Sequence, residues 1–501
     1  MGDLLQNLAL GFSVALSLQN VGLALLGCLV GTLVGVLPGV GPIATITMLL
    51  PITFGIEPTG AIIMLAGIYY GAQYGGSTTA ILVNIPGEVT AVVTTLDGHE
   101  MAKQGRAGVA LGVAAIGSFV AGTLATLVVA GLAVPLTKLA LLFGSAEYFS
   151  LMTAGLAFAV VLARGSILKA IAMILVGLLF STVGTDLETG VERMTFGYAP
   201  LSDGLDFAIL AMGVFGFAEV LRNLEMVEHR DVVNRPIGRL LPTREDVRRS
   251  ILPVLRGSFL GAALGIIPGN GAVLGPFASY TLEKKLAKDP RRFGRGAIEG
   301  VAGPESANNA GAQTAFIPLL SLGIPPNAVM ALMVGAMTIH GIVPGPLVMT
   351  RNPSLFWGVI ASMWIGNLML LVINLPLIGV WVRLLTVPYR LMYPTILLFS
   401  CIGIYSINNS AADVLMTAVL ALVGWALIKL DFETAPLLLG YVLGRLMEEN
   451  LRRALAISRG DLATFIERPV SAGLLAIAVL VLAVALLPNV RRRREEVFAA
   501  D

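Results

Sequence analysis

The chain has 501 residues, 56% hydrophobic and only 13% charged, against roughly 25% charged in an ordinary soluble domain. That excludes a protein bathed in water on all sides. The formal net charge of +2 says little about partners, because in a membrane the sign of charge matters loop by loop.

Apolar segments long enough to cross a bilayer, about 20 residues each, recur from residue 15 to residue 488. They are continuously apolar and lack the period-two alternation of a barrel. The expected fold class is an all-α polytopic membrane protein with about twelve transmembrane segments, re-entrant hairpins included, arranged as two inverted structural repeats. The first Lys or Arg is Lys103, so the N-terminus lacks the basic region of a cleaved signal and is expected to stay on. Cys28 and Cys401 lie alone in apolar runs without ligand spacing and read as packing residues.

The first repeat is expected over residues 15–222. Near its start GVLPGVGP, residues 35–42, drops a Pro-Gly-X-Gly break into an apolar run. Such a break leaves backbone groups unpaired, and lipid tolerates it only where protein or a water-filled cavity meets them. After a return loop without a basic residue, FGIEPTG at 54–60, the run YGAQYGGSTTAILVNIPGE, residues 70–88, reads as a broken helix. A loop at 94–106 carries Lys103 and Arg106, and spans follow near 107–134, 147–163, 166–184 and 206–222. The segment 185–204, with Asp186, Glu188, Glu192 and Asp203 against one Arg, reads as external.

Residues 223–250 form a basic linker, expected to be cytoplasmic because loops rich in Lys and Arg stay inside. The second repeat, 251–446, begins with GIIPGNGA at 265–272, a counterpart of the first break. Its return loop, 284–295, is heavily basic, whereas its later loop, 344–353, carries only Arg351. The order of charged loops is thus reversed between the halves, the mark of an inverted repeat. A second broken helix is expected at 304–327, PESANNAGAQTAFIPLLSLGIPPN, sharing Gly-Ala-Gln and Ile-Pro with residues 70–88. Residues 447–501 supply a loop, a final span and the cytoplasmic basic tail ending in Arg491 to Arg494.

If the hairpin tips and interruptions meet near the midplane, helix N-termini offer N–H groups to an anion while unwound carbonyls and hydroxyls ligate a cation. The candidate substrate-binding residues are Pro38, Gly39, Gly41, Pro268, Gly269, Asn270, Gly271, Asn308 and Asn309. The candidate coupling-ion residues are Gly75, Ser77, Thr78, Thr79, Asn308 and Asn309. Plainer readings stand beside these. The glycines also suit close helix packing, and the hydroxyls also suit bonds back to their own helix. Asn308 and Asn309 converge only on unwound backbone. Two readings stand for Glu305, an intramembrane functional acid or the N-terminal acid of a helix at the cytoplasmic boundary. Glu88 and Asp97 read as interfacial, and the solitary His340 as packed or hydrogen-bonded.

Taken together, PGVGP, YGAQYGGSTTAIL, NIPGE, IPGNG, GPESANNA and the GIPP run resemble the large membrane subunit of the tripartite tricarboxylate transporter family. The resemblance covers residues 10–490. It implies a bacterial inner-membrane permease coupled to a cation gradient, typically sodium. It also implies a small membrane subunit, a periplasmic solute-binding protein and a carboxylate substrate such as citrate. No cofactor, no metal beyond the transported cation and no nucleic-acid partner are expected.

An enzyme finds little support. The chain has no GxxxxGK[ST], no HExxH and no catalytic triad order, and GNGAVLG has neither the spacing nor the preceding strand of a nucleotide loop. The closer rivals are a re-entrant-loop channel and an uncoupled permease for another organic anion.

Overall fold

The computed structural model describes residues 2–37, 41–163, 166–186, 188–225, 237–267, 271–385 and 389–486. The described chain is almost wholly helical, and a two-residue β-ladder, Gly184–Thr185 with Glu192–Arg193, is the sole sheet among the described residues. Six of the described helices are long and apolar enough to cross a membrane: Leu18–Val36, Ala107–Ala140, Ser145–Leu162, Phe207–Glu225, Pro353–Asn374 and Ala411–Lys429. The others are shorter or more polar, because glycines, prolines and buried polar residues concentrate in the helices that line the interior.

Glycine spacing explains the closest packing. In the first half Gly27, Gly31 and Gly35 recur every fourth residue, so they share one face of Leu18–Val36. That face lies on helix Pro58–Val83, where Gly67, Gly71 and Gly75 repeat the same spacing. A Cβ added at Gly31 would stand 2.3 Å from the carbonyl oxygen of Ile68, and one at Gly75 2.4 Å from that of Thr32. Only residues without a side chain permit this approach.

The second half uses the same device. Gly257, Gly261 and Gly265 of helix Arg244–Gly265 lie against helix Glu299–Thr314, and a Cβ at Gly261 would fall 2.1 Å from the Ala307 oxygen. There the hairpin partner, Gly271–Leu286, is also clasped to the first arm. The guanidinium of Arg256 donates to both carboxylate oxygens of Glu283, at 2.7 and 2.5 Å.

Both inner helices stop in the same way. Pro58–Val83 ends at Asn84, φ 59°, and the chain beyond Glu299–Thr314 runs through Phe316–Leu322 to Gly323, φ 74°. Each left-handed residue is followed by Ile-Pro, which bars further helix. The expected break at 70–88 therefore lies at its far end, since the helix runs unbroken through Gly75, Gly76 and Ser77. In the second half the interruption at Ala315 is one residue wide. Pro318 has no N–H with which to bond the Thr314 carbonyl.

The two inner helices run in opposite directions. The C-terminal end of Pro58–Val83 and the N-terminal end of Glu299–Thr314 meet at the face holding residues 94–106, 237–246 and 291–297. There Gly108 N donates to Ile237 O at 2.7 Å, Arg106 pairs with Asp246 at 2.7 Å, and Gln104 Nε2 donates to Arg295 O at 2.9 Å. The three basic loops thus share one face. Packing between halves is reciprocal: Glu299–Thr314 lies on Ala107–Ala140, and Pro58–Val83 on Pro353–Asn374.

Candidate functional site

Beyond Asn84 and beyond Gly323 the chain turns back toward the interior. Gly87 comes against the backbone of Gly35 and Gly76, and Asn327 reaches Tyr69, its Nδ2 3.5 Å from the phenolic oxygen. The result is a cavity of about 110 Å³ where segments from both halves converge. Ile43 follows the first break, and Ala272, Val273 and Leu274 follow the second. Glu88, Val89 and Thr90 come from the segment beyond Asn84, and Asn327, Ala328 and Val329 from the segment beyond Gly323. Glu433 and Ala435 close the wall.

Four helices begin here: Pro42–Leu49, Gly271–Leu286, Ala328–Ile339 and Ala435–Ile457. The first N–H groups of a helix have no partner within it and carry a partial positive charge. A cavity bordered by four such starts suits an anion without any fixed cation. Asn327 organises one of them, its side chain accepting from Met330 N at 2.9 Å.

Of the glycine and proline candidates, Pro38, Gly39, Pro268, Gly269 and Asn270 lie outside the described residues. Gly41 is the N-cap of Pro42–Leu49. Gly271 opens Gly271–Leu286, where a Cβ would stand 2.0 Å from the Leu264 oxygen. Both glycines thus sit where a helix starts beside the cavity.

The candidate ion residues separate. Gly75 belongs to the glycine seam described above, a packing role. Thr79 Oγ1 donates to Gly76 O at 2.9 Å and lies 3.3 Å from Gly35 O, and Thr78 Oγ1 is 3.5 Å from Tyr74 O. Ser77 Oγ lies 3.0 Å from Gln73 O but also meets the carboxylate of Glu305.

Asn308 and Asn309 sit in regular helix, which corrects the unwound backbone expected there. Consecutive helical residues diverge by about 100°. Asn309 Nδ2 donates to Ser118 Oγ at 2.7 Å, while neither amide atom of Asn308 has a hydrogen-bond partner among the described residues.

Two acids were misplaced by sequence reasoning, Asp97 and Glu88, and a third, Glu305, was left between two readings. Glu305 is the seventh residue of Glu299–Thr314, not its N-terminal acid, and is 0% exposed. Ser77 donates to one of its oxygens and Thr94 to the other. Asp97, expected at the interface, is also 0% exposed. Its Oδ1 accepts from the backbone N–H groups of Gly294, Arg295, Gly296 and Ala297 at 2.7–3.1 Å, and its Oδ2 from Tyr280 at 2.9 Å. Glu88 lines the cavity. An acid in a short polar stretch beside a loop looks interfacial until its partners are known. The one available signal was that Glu305 stands among Gly, Ser and Asn, without the Lys or Arg of a surface pair. His340 caps the C-terminal end of Ala328–Ile339.

Among the described residues no three His, Cys, Asp or Glu side chains gather as a metal site. Unpartnered buried polar atoms do gather around the inner helices: the hydroxyls of Tyr70 and Tyr74, Gln73 Nε2, both amide atoms of Asn308 and Asn374 Oδ1. Inside a membrane protein such atoms call for water or a ligand.

Comparison with known proteins agrees with this architecture. A family model described as the tripartite tricarboxylate transporter TctA family matches residues 21–439. An uncharacterised 52.8 kDa protein from the TAR-I ttuC' 3' region of Agrobacterium vitis is 56% identical over the full length of both chains. An uncharacterised protein from the TAR-II ttuC' 3' region of the same organism is 58% identical over 241 residues, covering 48% of this chain and all of the relative. No solved structure matches significantly. A multi-pass helical protein whose match to the family model extends over most of its length, this chain belongs to the TctA family of tripartite tricarboxylate transporters.

Proposed function

We propose that the protein is the large permease subunit of a binding-protein-dependent tripartite transporter in a bacterial inner membrane. In this reading it takes up di- or tricarboxylates such as citrate together with sodium. The observation that carries the reading is the cavity bordered by the first turns of four helices. Backbone N–H groups there are suited to a polyanion, and the Tyr69 hydroxyl and the Asn327 amide give it orientation. Moving such an anion into a cell that is negative inside costs about 2.3 kcal/mol per charge per 100 mV. Cations must therefore accompany it.

The opposed inner helices, their matching glycine spacing and the reciprocal packing support two inverted repeats that share this cavity. Positive loop charge on the face of residues 94–106, 237–246 and 291–297 supports a cytoplasmic assignment for that face, and Arg491 to Arg494 support a cytoplasmic C-terminus. A small membrane subunit and a periplasmic receptor complete the transporter.

The test is citrate uptake by proteoliposomes containing this chain, the small subunit and the receptor. Asn327→Asp keeps a good helix cap but sets a carboxylate in the cavity wall. It should raise the KM for citrate by about 10-fold, near 1.4 kcal/mol, with folded yield unchanged. A wild-type KM would remove substrate from this cavity. Unsaturable flux that ignores the sodium gradient would favour the channel instead.

A further inference from the structure

We propose that Glu305 holds the coupling cation, between its own carboxylate and the hydroxyls of Ser77 and Thr94 from the other half of the chain. This rests on the reading of the protein as a cation-coupled permease and adds a residue that sequence reasoning left undecided. Glu305 is wholly enclosed, and no Lys, Arg or His among the described residues pairs with it. An isolated carboxylate in such surroundings is costly. A positive species must neutralise it.

The hydrogen-bond inventory points to where. Ser77 Oγ is within bonding reach of both Gln73 O and Glu305 Oε2, yet a hydroxyl has one proton to donate. When that proton goes to Gln73 O, the Ser77 oxygen turns a lone pair toward the carboxylate. A proton on the carboxyl must then lie between the two oxygens, and a larger cation enters only as they part around it. On its other side Ser77 borders a second cavity of about 10 Å³, with Tyr74, Thr78, Ser118 and Asn374, which Glu305 and Thr94 do not line. That is space for about one water or one bare monovalent ion. The Tyr74 hydroxyl and Asn374 Oδ1, on residues 3% and 5% exposed, have no hydrogen-bond partner among the described residues.

The site is connected to the larger cavity. Thr90, which lines that cavity, donates to Gln73 Oε1 at 2.9 Å, and Ser77 meets the backbone oxygen of the same glutamine. Occupancy of Glu305 can therefore be sensed at the substrate wall through Ser77, Gln73 and Thr90. Because its ligands come from both halves, a bound cation also joins the elements that must move apart for alternating access.

The experiment compares wild type with Glu305→Gln in two assays. In proteoliposomes with the small subunit and receptor, gradient-driven citrate uptake should fall ~10-fold or more, while citrate exchange at equal concentrations stays within about 2-fold. In detergent, without partners or substrate, replacing choline by sodium, or acidifying from about pH 8 to about pH 6, should raise the Tm of wild type but not of Glu305→Gln. A sodium response assigns sodium, and an acid response alone assigns a proton. The proposal is overturned if wild type responds to neither, if the variant keeps the full response or full driven uptake, or if exchange is lost along with uptake. If wild type exchanges no carboxylate but the Tm response still vanishes in Glu305→Gln, the substrate reading fails and the cation site stands.

Discussion

Asp97 and Glu305 are both fully enclosed carboxylates that bind across the boundary between the halves, and neither has a cationic partner among the described residues. Their surroundings differ sharply. Asp97 receives four backbone N–H groups and a phenol, a nest that saturates an anion permanently. Glu305 receives two hydroxyls, one of them shared with a carbonyl. The contrast shows that enclosure alone does not make an acid functional: the number and rigidity of its donors decide whether it is a fixed tie or a site still able to take up charge.

The largest effect is expected from Asp97→Ala, which strips five donors of their acceptor at once. Removing one partner of a buried charged network costs about 3–5 kcal/mol, so the yield of monodisperse protein in size-exclusion chromatography should collapse. A Tm close to wild type would break the comparison. Next comes the glycine seam that holds the helix of Glu305 in place. Gly261→Val, with a backbone carbonyl 2.1 Å from its Cβ, should cost at least the 1–3 kcal/mol or so of core overpacking. Gly22→Ala on Leu18–Val36, with nothing within 4 Å, should melt like wild type. A third test uses the sign of two isosteric changes. Asp97→Asn should lower the Tm, because a neutral acceptor binds the four N–H groups more weakly, whereas Glu305→Gln should leave it unchanged or raise it. Equal losses would mean that the two sites are alike. Tyr280→Phe removes one donor of five and should cost about 1 kcal/mol.

The smallest effect comes from an acid outside the membrane. Hydrogen bonds from Arg452 hold the Asp186 carboxyl well below the usual carboxylate range. Because its folded pKa is depressed, its contribution is present above the unfolded value, about 3.9, and disappears as pH falls through the lower folded value. The Tm difference between wild type and Asp186→Asn should thus be constant from neutral pH to about pH 5 and shrink below about pH 4.

Much of this organisation is readable from the chain because it is periodic or local. Glycines four apart, Ile-Pro after each inner helix and the placement of Lys and Arg are patterns that neighbours in sequence display. Gly75, read as an ion-site candidate, packs in the glycine seam, and a glycine that admits a neighbouring backbone looks on paper like one that unwinds a helix. Asn308 and Asn309 were expected on irregular backbone, yet Pro304 leaves their helix intact while Pro318 interrupts it at Ala315. The partners of Asp97 and Glu305 were not readable, since they lie far away in sequence and sequence neighbours carry no trace of them. Segments that follow the matched breaks and the inner helices line one cavity, as would follow if the breaks met, but Glu433 and Ala435 in its wall were not foreseen.

The nest around Asp97 also bears on how the chain is made. Ala297 follows Asp97 by 200 residues, and at about 5–20 residues per second a ribosome needs some 10–40 seconds to synthesise that interval. Throughout it the first half is in or near the bilayer with a carboxylate whose permanent donors do not yet exist. The N-terminal half therefore cannot reach its final packing during its own synthesis, and truncation anywhere before residue 297 leaves a polar defect that quality-control proteases are equipped to find.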